Sequence, residues 1–244
     1  MHKPKVLLIQ SRPEDQASDD EYAAFCNFGG LDPQQLVRLR ADKGNLSAIN
    51  LDDYAAVILG GGPANFAYPE DKKSKEQKLF EPWLLDVVRH IVAIDKPFLG
   101  VCLGMGAIVT ALGGSMSLDY GEPADTVDIT LLPVTKDDPL TAGMPATFTA
   151  IVGHKEGIAS LPAGVVPLAN NGSVTEMVRV GEHVYATQFH VELDAVGLAT
   201  RLRIYANHGY FNPGEMDQII ARVQQADLFH PTDILRRFVA MYCQ

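Results

Sequence analysis

Hydrophobic positions in this chain come first as short unbroken runs and later as spaced or alternating ones. "KVLLIQ" (5–10), "YAAVILGGG" (54–62) and "KPFLGVC" (96–102) are unbroken runs punctuated by glycine. Such runs predict strands buried on both faces, as in a parallel sheet. Between the second and third, Leu84, Leu85, Val88, Ile91 and Val92 recur at helical spacing, and Pro82 is expected in the first turn of that helix or just before it. "LGMGAIVTALGG" (103–114) has helical composition and a stop signal at Gly113–Gly114. This alternation predicts an α/β fold: a doubly wound, mostly parallel central sheet flanked by helices.

From about residue 126 the runs shorten and begin to alternate: "TVDITLLPV", "TFTAIVGH", "VVPLANN", "EMVRVG" and "HVYATQFH". Turn residues separate them, which predicts further strands, some antiparallel. From Asp194 the spacing returns to helix, through "AVGLATRLRIYANHG", "PGEMDQIIARVQQADLF" and "PTDILRRFVAMYC". Ile234, Leu235, Phe238, Val239 and Tyr242 share one face of the last helix. That face is expected to pack on the domain, the alternative being a partner or dimer surface. No repeat, low-complexity tract or long linker interrupts the pattern, so one domain is expected over residues 1–244. Its core covers about 5–205 and a C-terminal helical extension about 206–244.

Composition narrows the function. The 244 residues are 47% hydrophobic and carry a formal charge of −10, a balance that repels phosphate backbones and anionic lipid. Neither nucleic acid nor a membrane is therefore expected as a partner. Cys26, Cys102 and Cys243 are odd in number and far apart, with no CxxC spacing. That suits a reducing, cytoplasmic setting. The first residues pass straight into the "KVLLIQ" run, too short for a signal peptide or a membrane span.

Three stretches carry candidate chemistry. "GVCLG" (100–104) has the form of a nucleophile elbow, in which a sharp strand-to-helix turn exposes the central residue. A helix starting at Leu103 would favour the Cys102 thiolate and offer the Leu103 N–H to an oxyanion. A core thiol beside a tight turn is the competing reading. In "YATQFHVELD" (185–194), His190 and Glu192 are two apart on a strand-like run, so both should face one side of a sheet. The carboxylate could then orient the imidazole and leave its other nitrogen for a nucleophile. An ordinary surface pair is the alternative, and Cys102, His190 and Glu192 are also zinc-competent residue types. "ILGGGPANF" (58–66) reads as a buried strand running into a loop that can approach a ligand closely. Gly61 or Gly62 could donate a second N–H there, though a plain turn has the same composition.

Taken in order, "GGGP" (60–63), "GVCLGMG" (100–106) and "QFHVE" (188–192) resemble the motifs of class I (triad-type) glutamine amidotransferases, in particular those similar to the amidotransferase domain of GMP synthase. The resemblance implies a flavodoxin-like fold with a Cys102–His190–Glu192 triad. It also implies an oxyanion hole from the N–H groups of Gly61 or Gly62 and Leu103. The activity it implies is hydrolysis of the glutamine side-chain amide through a Cys102 thioester, with no metal and no organic cofactor. Ammonia would pass to a synthase partner, the alternative being a free-standing hydrolase. Two positions depart from the pattern. The family's elbow continues to a substrate-holding glutamine where this chain has Gly106, and its His-x-Glu segment carries proline where this chain has Val191. Gly106, His154 of "VGHKEG", and Gln188 are the expected neighbours of the substrate. The change at Gly106 leaves a γ-glutamyl hydrolase open, as well as a non-catalytic binding subunit. His208 is expected to be structural.

Overall fold

The structure, a computed structural model, describes residues 3–44, 46–172 and 174–243. The three expected strands form as β1 (Val6–Gln10), β3 (Ala56–Leu59) and β4 (Phe98–Val101). Two elements form between residues 11 and 53, where the hydrophobic pattern singles out none: α1 (Asp15–Gly29) and β2 (Leu36–Arg40). α1 buries only a few of its residues, Phe25 and Ala17 among them, and β2 is half-buried along most of its length. Neither has a clean period to read.

Helix α2 (Lys75–Ala93) corrects the expectation for Pro82, which lies in the helix interior. The helix starts earlier because Ser74 Oγ accepts the Gln77 N–H at 3.0 Å, a complete N-cap. An interior proline costs about 3 kcal/mol. Burial of Phe80, Leu84, Val88 and Ile91 on the sheet offsets that cost and carries the helix through. Helix α3 (Leu103–Ala111) ends as expected: Gly113 takes φ 88°, and Gly114 donates its N–H to Val109 O at 2.9 Å.

The later runs form β6 (Glu122–Leu131), β7 (Thr147–His154), β9 (Val165–Asn170), β10 (Thr175–Val180) and β11 (Val184–Thr187). Two short strands, β5 (Ser115–Ser117) and β8 (Gly157–Ser160), pair with each other outside the main sheet. The last third supplies α4 (Ala195–Ile204), α5 (Met216–Gln225) and α6 (Phe229–Tyr242).

Among the described residues the main sheet runs β2-β1-β3-β4-β11-β10-β9-β6-β7. The half from β2 to β11 is parallel and the half from β11 to β7 antiparallel. Alternation along the parallel strands separates two cores. Val6, Leu8 and Ile58 face Phe25 of α1 and Ile234, Leu235 and Phe238 of α6. Leu7, Ile9, Val57 and Leu59 face Leu84 and Val88 of α2 and Ile108 of α3. The apolar face of α6 thus covers the sheet beside α1, as its spacing predicts. No helix among the described residues is long and apolar enough to cross a membrane.

Phe238 is fully buried at the centre of that face. Phe238→Ala is expected to lower the unfolding free energy by about 3–5 kcal/mol, measured by urea denaturation. A loss within experimental error would show that α6 is not part of the cooperative core.

Candidate active site

In the parallel half of the sheet β4 lies between β3 and β11, so the carboxyl ends of these strands sit side by side. β4 ends at Val101, α3 starts at Leu103, and the residue between them is Cys102, at φ 53° and ψ −91°. A non-glycine residue in such a conformation costs on the order of 1–3 kcal/mol and persists only where neighbours hold it. Cys102 N–H donates to Thr187 O of β11 at 2.8 Å, and Cys102 O accepts the Met105 N–H at 3.0 Å. The flanking glycines let the elbow close: a Cβ on Gly100 would lie 2.9 Å from the Cα of Gly104.

His190 and Glu192 do come together, but not on a strand. β11 ends at Thr187, level with the point where β4 turns into α3, and the Gln188 N–H makes one more bond to Glu176 O of β10 at 2.8 Å. Beyond it Thr187 Oγ1 donates to Phe189 O at 2.8 Å, and His190 N–H reaches across to Ile151 O of β7 at 2.9 Å. On this turn His190 Nδ1 lies 2.9 Å from Glu192 Oε1, both side chains being buried. Arg201 of α4 donates from Nη1 to the same Glu192 oxygen at 2.7 Å. Because that carboxylate takes the proton of Nδ1, Nε2 is the free, basic nitrogen of the neutral ring. Arg201 Nη1, 3.3 Å from Nδ1, is then a cation beside the ring.

The electrostatics follow from burial. Desolvation pushes the Cys102 thiol up to about 12; Arg12 opposes the rise, while Glu192 and Glu156 add to it. Burial dominates, so the resting sulfur is a thiol and not the thiolate expected from its position on α3. Burial also lowers His190, against the pull of Glu192 and helped by Arg201 and Arg12. For Glu192 burial works upward, but the charges of His190 and Arg201 outweigh it and hold the carboxyl far below its ordinary value. At neutral pH the trio is therefore thiol, neutral imidazole and carboxylate.

The loop after β3 closes over this group. A Cβ on Gly61 would meet Arg12 Nη2 at 2.8 Å, His190 Cε1 at 3.2 Å and Cys102 Cβ at 3.5 Å, so only glycine fits among them. Arg12 is buried and paired with Glu21 of α1 at 2.9 Å. Two hollows flank Cys102, and Gly62 and Tyr210 line both. One is mostly apolar, with Ile151, Leu198, Leu202 and Phe211 beside Arg12, His190 and Arg201. The other carries more polar side chains, Asn65, His154, Lys155, Glu156 and Gln188, beside Leu103.

Of the expected substrate neighbours, His154 and Gln188 thus share a hollow with Cys102. Gly106 lines neither: a Cβ there would meet Phe66 Cδ2 at 2.7 Å and Glu156 Oε1 at 3.0 Å. Glu156 is held in place by the Phe66 and Ala67 N–H groups, at 3.0 and 2.6 Å. Cys102, His190 and Glu192 do not converge as a metal-ligand set; among the described residues Glu122, His154 and Glu176 do. His208 packs edge-on against Tyr205 at 5.2 Å. Sequence reasoning misses Arg12, Arg201 and Tyr210. Isolated arginines carry no motif, and Tyr210 directly follows "AVGLATRLRIYANHG", which the spacing reads as helix.

The sequence model described as "Glutamine amidotransferase class-I" matches residues 33–202, well over half the chain. The chain belongs to this family. Among curated relatives, GMP synthase [glutamine-hydrolyzing] of Pyrobaculum aerophilum is 28% identical over 185 residues, covering 71% of this chain and 33% of its own. The protein of the same name from Thermosipho africanus is 30% identical over 145 residues, covering 57% of this chain and 24% of its own. This amidotransferase chain therefore matches a third or less of the length of those relatives. Solved structures agree on the fold. A glutamine amidotransferase from Thermotoga maritima superposes with a TM-score of 0.79 at 18% identity, over 99% of this chain and 98% of that one. One from Methylobacillus flagellatus gives 0.72 at 17% identity, over 99% and 96%.

The protonation states can be tested on the free protein. Alkylation of Cys102 by iodoacetamide, followed peptide by peptide by mass spectrometry, is expected to accelerate with pH only well above the ordinary thiol value of about 8.5. An inflection near or below neutral pH would show a thiolate already formed at rest.

Proposed function

We propose that this protein hydrolyses the side-chain amide of glutamine to glutamate and ammonia, with Cys102 as nucleophile, His190 as general base and acid, and Glu192 as the group that orients His190. One observation carries the reading: Cys102, held on a strained strand-to-helix turn, opens onto the same hollow as an imidazole whose Nδ1 is fixed by a buried carboxylate.

Because the resting pair is neutral, the proton moves during attack and not before it. His190 Nε2 takes the Cys102 proton as Sγ bonds to the carboxamide carbon, and the carbonyl oxygen becomes an oxyanion. The N–H of Leu103, first in α3, and that of Gly61 or Gly62 are the proposed donors to it. One well-aimed donor contributes about 10²–10³ in rate. His190 then protonates the departing nitrogen, the C–N bond breaks and ammonia leaves. Water attacks the thioester, giving its proton to His190; the C–S bond breaks, glutamate leaves and the proton returns to Cys102. The polar hollow of Asn65, His154 and Gln188 is the proposed seat of the substrate.

The relatives named GMP synthase support a synthase as acceptor of the ammonia. Three free cysteines support a cytoplasmic setting. A second reading has its own observation: Phe66 and Glu156 crowd Gly106, where the family's substrate-holding glutamine would stand. The missing glutamine, and not the crowding, supports a γ-glutamyl amide or peptide as the alternative substrate.

Cys102→Ala is expected to abolish ammonia release, and Glu192→Gln to lower kcat by about 10²–10⁴, in a coupled glutamate and ammonia assay. Full activity in Cys102→Ala would overturn the mechanism. A kcat/KM higher for γ-glutamyl peptides than for glutamine would select the second reading.

A further inference from the structure

Behind the polar hollow, three side chains from three strands converge. Glu122 opens β6, His154 closes β7 directly opposite it in register, and Glu176 lies on β10. One ligating atom from each falls within 4.8 Å of the other two. His154 Nδ1 lies 2.8 Å from the carbonyl oxygen of Glu156, which can only accept, so Nδ1 carries the hydrogen. In the neutral ring Nε2 then aims a lone pair at Glu122 Oε2, 2.9 Å away. Glu122 Oε1 is fixed by the Asn171 amide at 2.5 Å. Glu176 is fully buried; neither carboxylate oxygen makes a hydrogen bond of ordinary geometry among the described residues, and its polar neighbours are the Glu122 carboxylate and the Phe189 N–H.

A lone pair facing a carboxylate, beside a second, buried carboxylate, calls for positive charge at the centre. A proton on His154 would satisfy Glu122 and leave Glu176 unpaired. A divalent ion meets all three at once: two carboxylates and a neutral imidazole around it sum to zero charge. The outer contacts have the same logic, since a ligating histidine commonly donates its other N–H to a backbone carbonyl and ligating carboxylates are themselves hydrogen-bonded. Two ligand atoms on one tetrahedral zinc lie about 3.3 Å apart, so the present His154–Glu122 contact needs only a small expansion. Glu122 and His154 also line an open depression with Gly121, Lys155 and Tyr210, which gives an ion a way in.

We propose that Glu122, His154 and Glu176 form a divalent transition-metal site, suited by its imidazole and carboxylate donors to zinc. The ion would tie β6, β7 and β10 together and fix His154 and the 155–156 turn beside the polar hollow. Two protons, one on His154 and one shared by the carboxyls, are the competing arrangement.

The test is equilibrium dialysis of the chelator-treated full chain against zinc chloride, read by elemental analysis and thermal unfolding. One zinc per chain and a raised unfolding midpoint are expected. Glu176→Gln, checked as folded by circular dichroism, should weaken zinc binding by at least about a hundredfold. Glu122→Gln, at the open edge, should do the same and serves where the buried variant does not fold. Cys102→Ser should keep the zinc. Absence of stoichiometric zinc on the parent chain would overturn the site and favour the two-proton arrangement. Zinc that survives both glutamine variants but is lost in Cys102→Ser would overturn it by placing the metal on the thiol.

Discussion

Cys102 keeps a backbone conformation that a non-glycine residue adopts only when its surroundings leave no alternative. Those surroundings are the two strands on either side of β4. β11 accepts the Cys102 N–H through Thr187 O, and β3 delivers the glycine loop that packs against Cys102 and His190. Sheet order therefore does the assembling. Stretches about forty and ninety residues apart meet because β3, β4 and β11 are neighbours with parallel, aligned carboxyl ends. Level with the elbow, the chain leaving β11 turns and bends His190 and Glu192 into contact.

Around this elbow the protein buries more charge than stability alone would favour. Arg12 with Glu21, and Arg201 with Glu192, are ion pairs withdrawn from water. Such pairs add little net stability, yet removing one partner costs about 3–5 kcal/mol because the other is left uncompensated. Their effect here is positional and electrostatic. Arg201 keeps Glu192 ionised and against Nδ1, while both arginines help to keep the imidazole neutral. With the thiol held protonated by burial, the charge-separated pair does not form in the resting state. In the proposed reaction, attack and proton transfer are thereby coupled.

Much of this arrangement was legible in the chain, for reasons that can be stated. Strands buried on both faces leave unbroken apolar runs, so β1, β3 and β4 stood out, as did the glycine stop of α3. Glycines around Cys102 and between β3 and its loop marked backbone contacts that no side chain could share. α1 and β2 escaped because they bury only part of their surface. Pro82 misled because a capped helix with a continuous buried stripe tolerates it. The expected strand at His190 gave way to a turn that meets β7 only through the single bridge of His190 to Ile151. Arg12, Arg201 and Tyr210 were invisible for a different cause: their roles exist only after folding brings distant segments together. The same holds for Glu122 and Glu176, and for their convergence on His154.

The central claim is that Cys102, with His190 as its base, attacks a glutamine-like carboxamide. It is tested most directly by incubating the purified protein with a glutamine-mimicking alkylator and mapping the adduct by peptide mass spectrometry. A single adduct on Cys102, suppressed competitively by glutamine, is the predicted result. Labelling of Cys26 or Cys243 in its place, or labelling of Cys102 that glutamine does not slow, would contradict it.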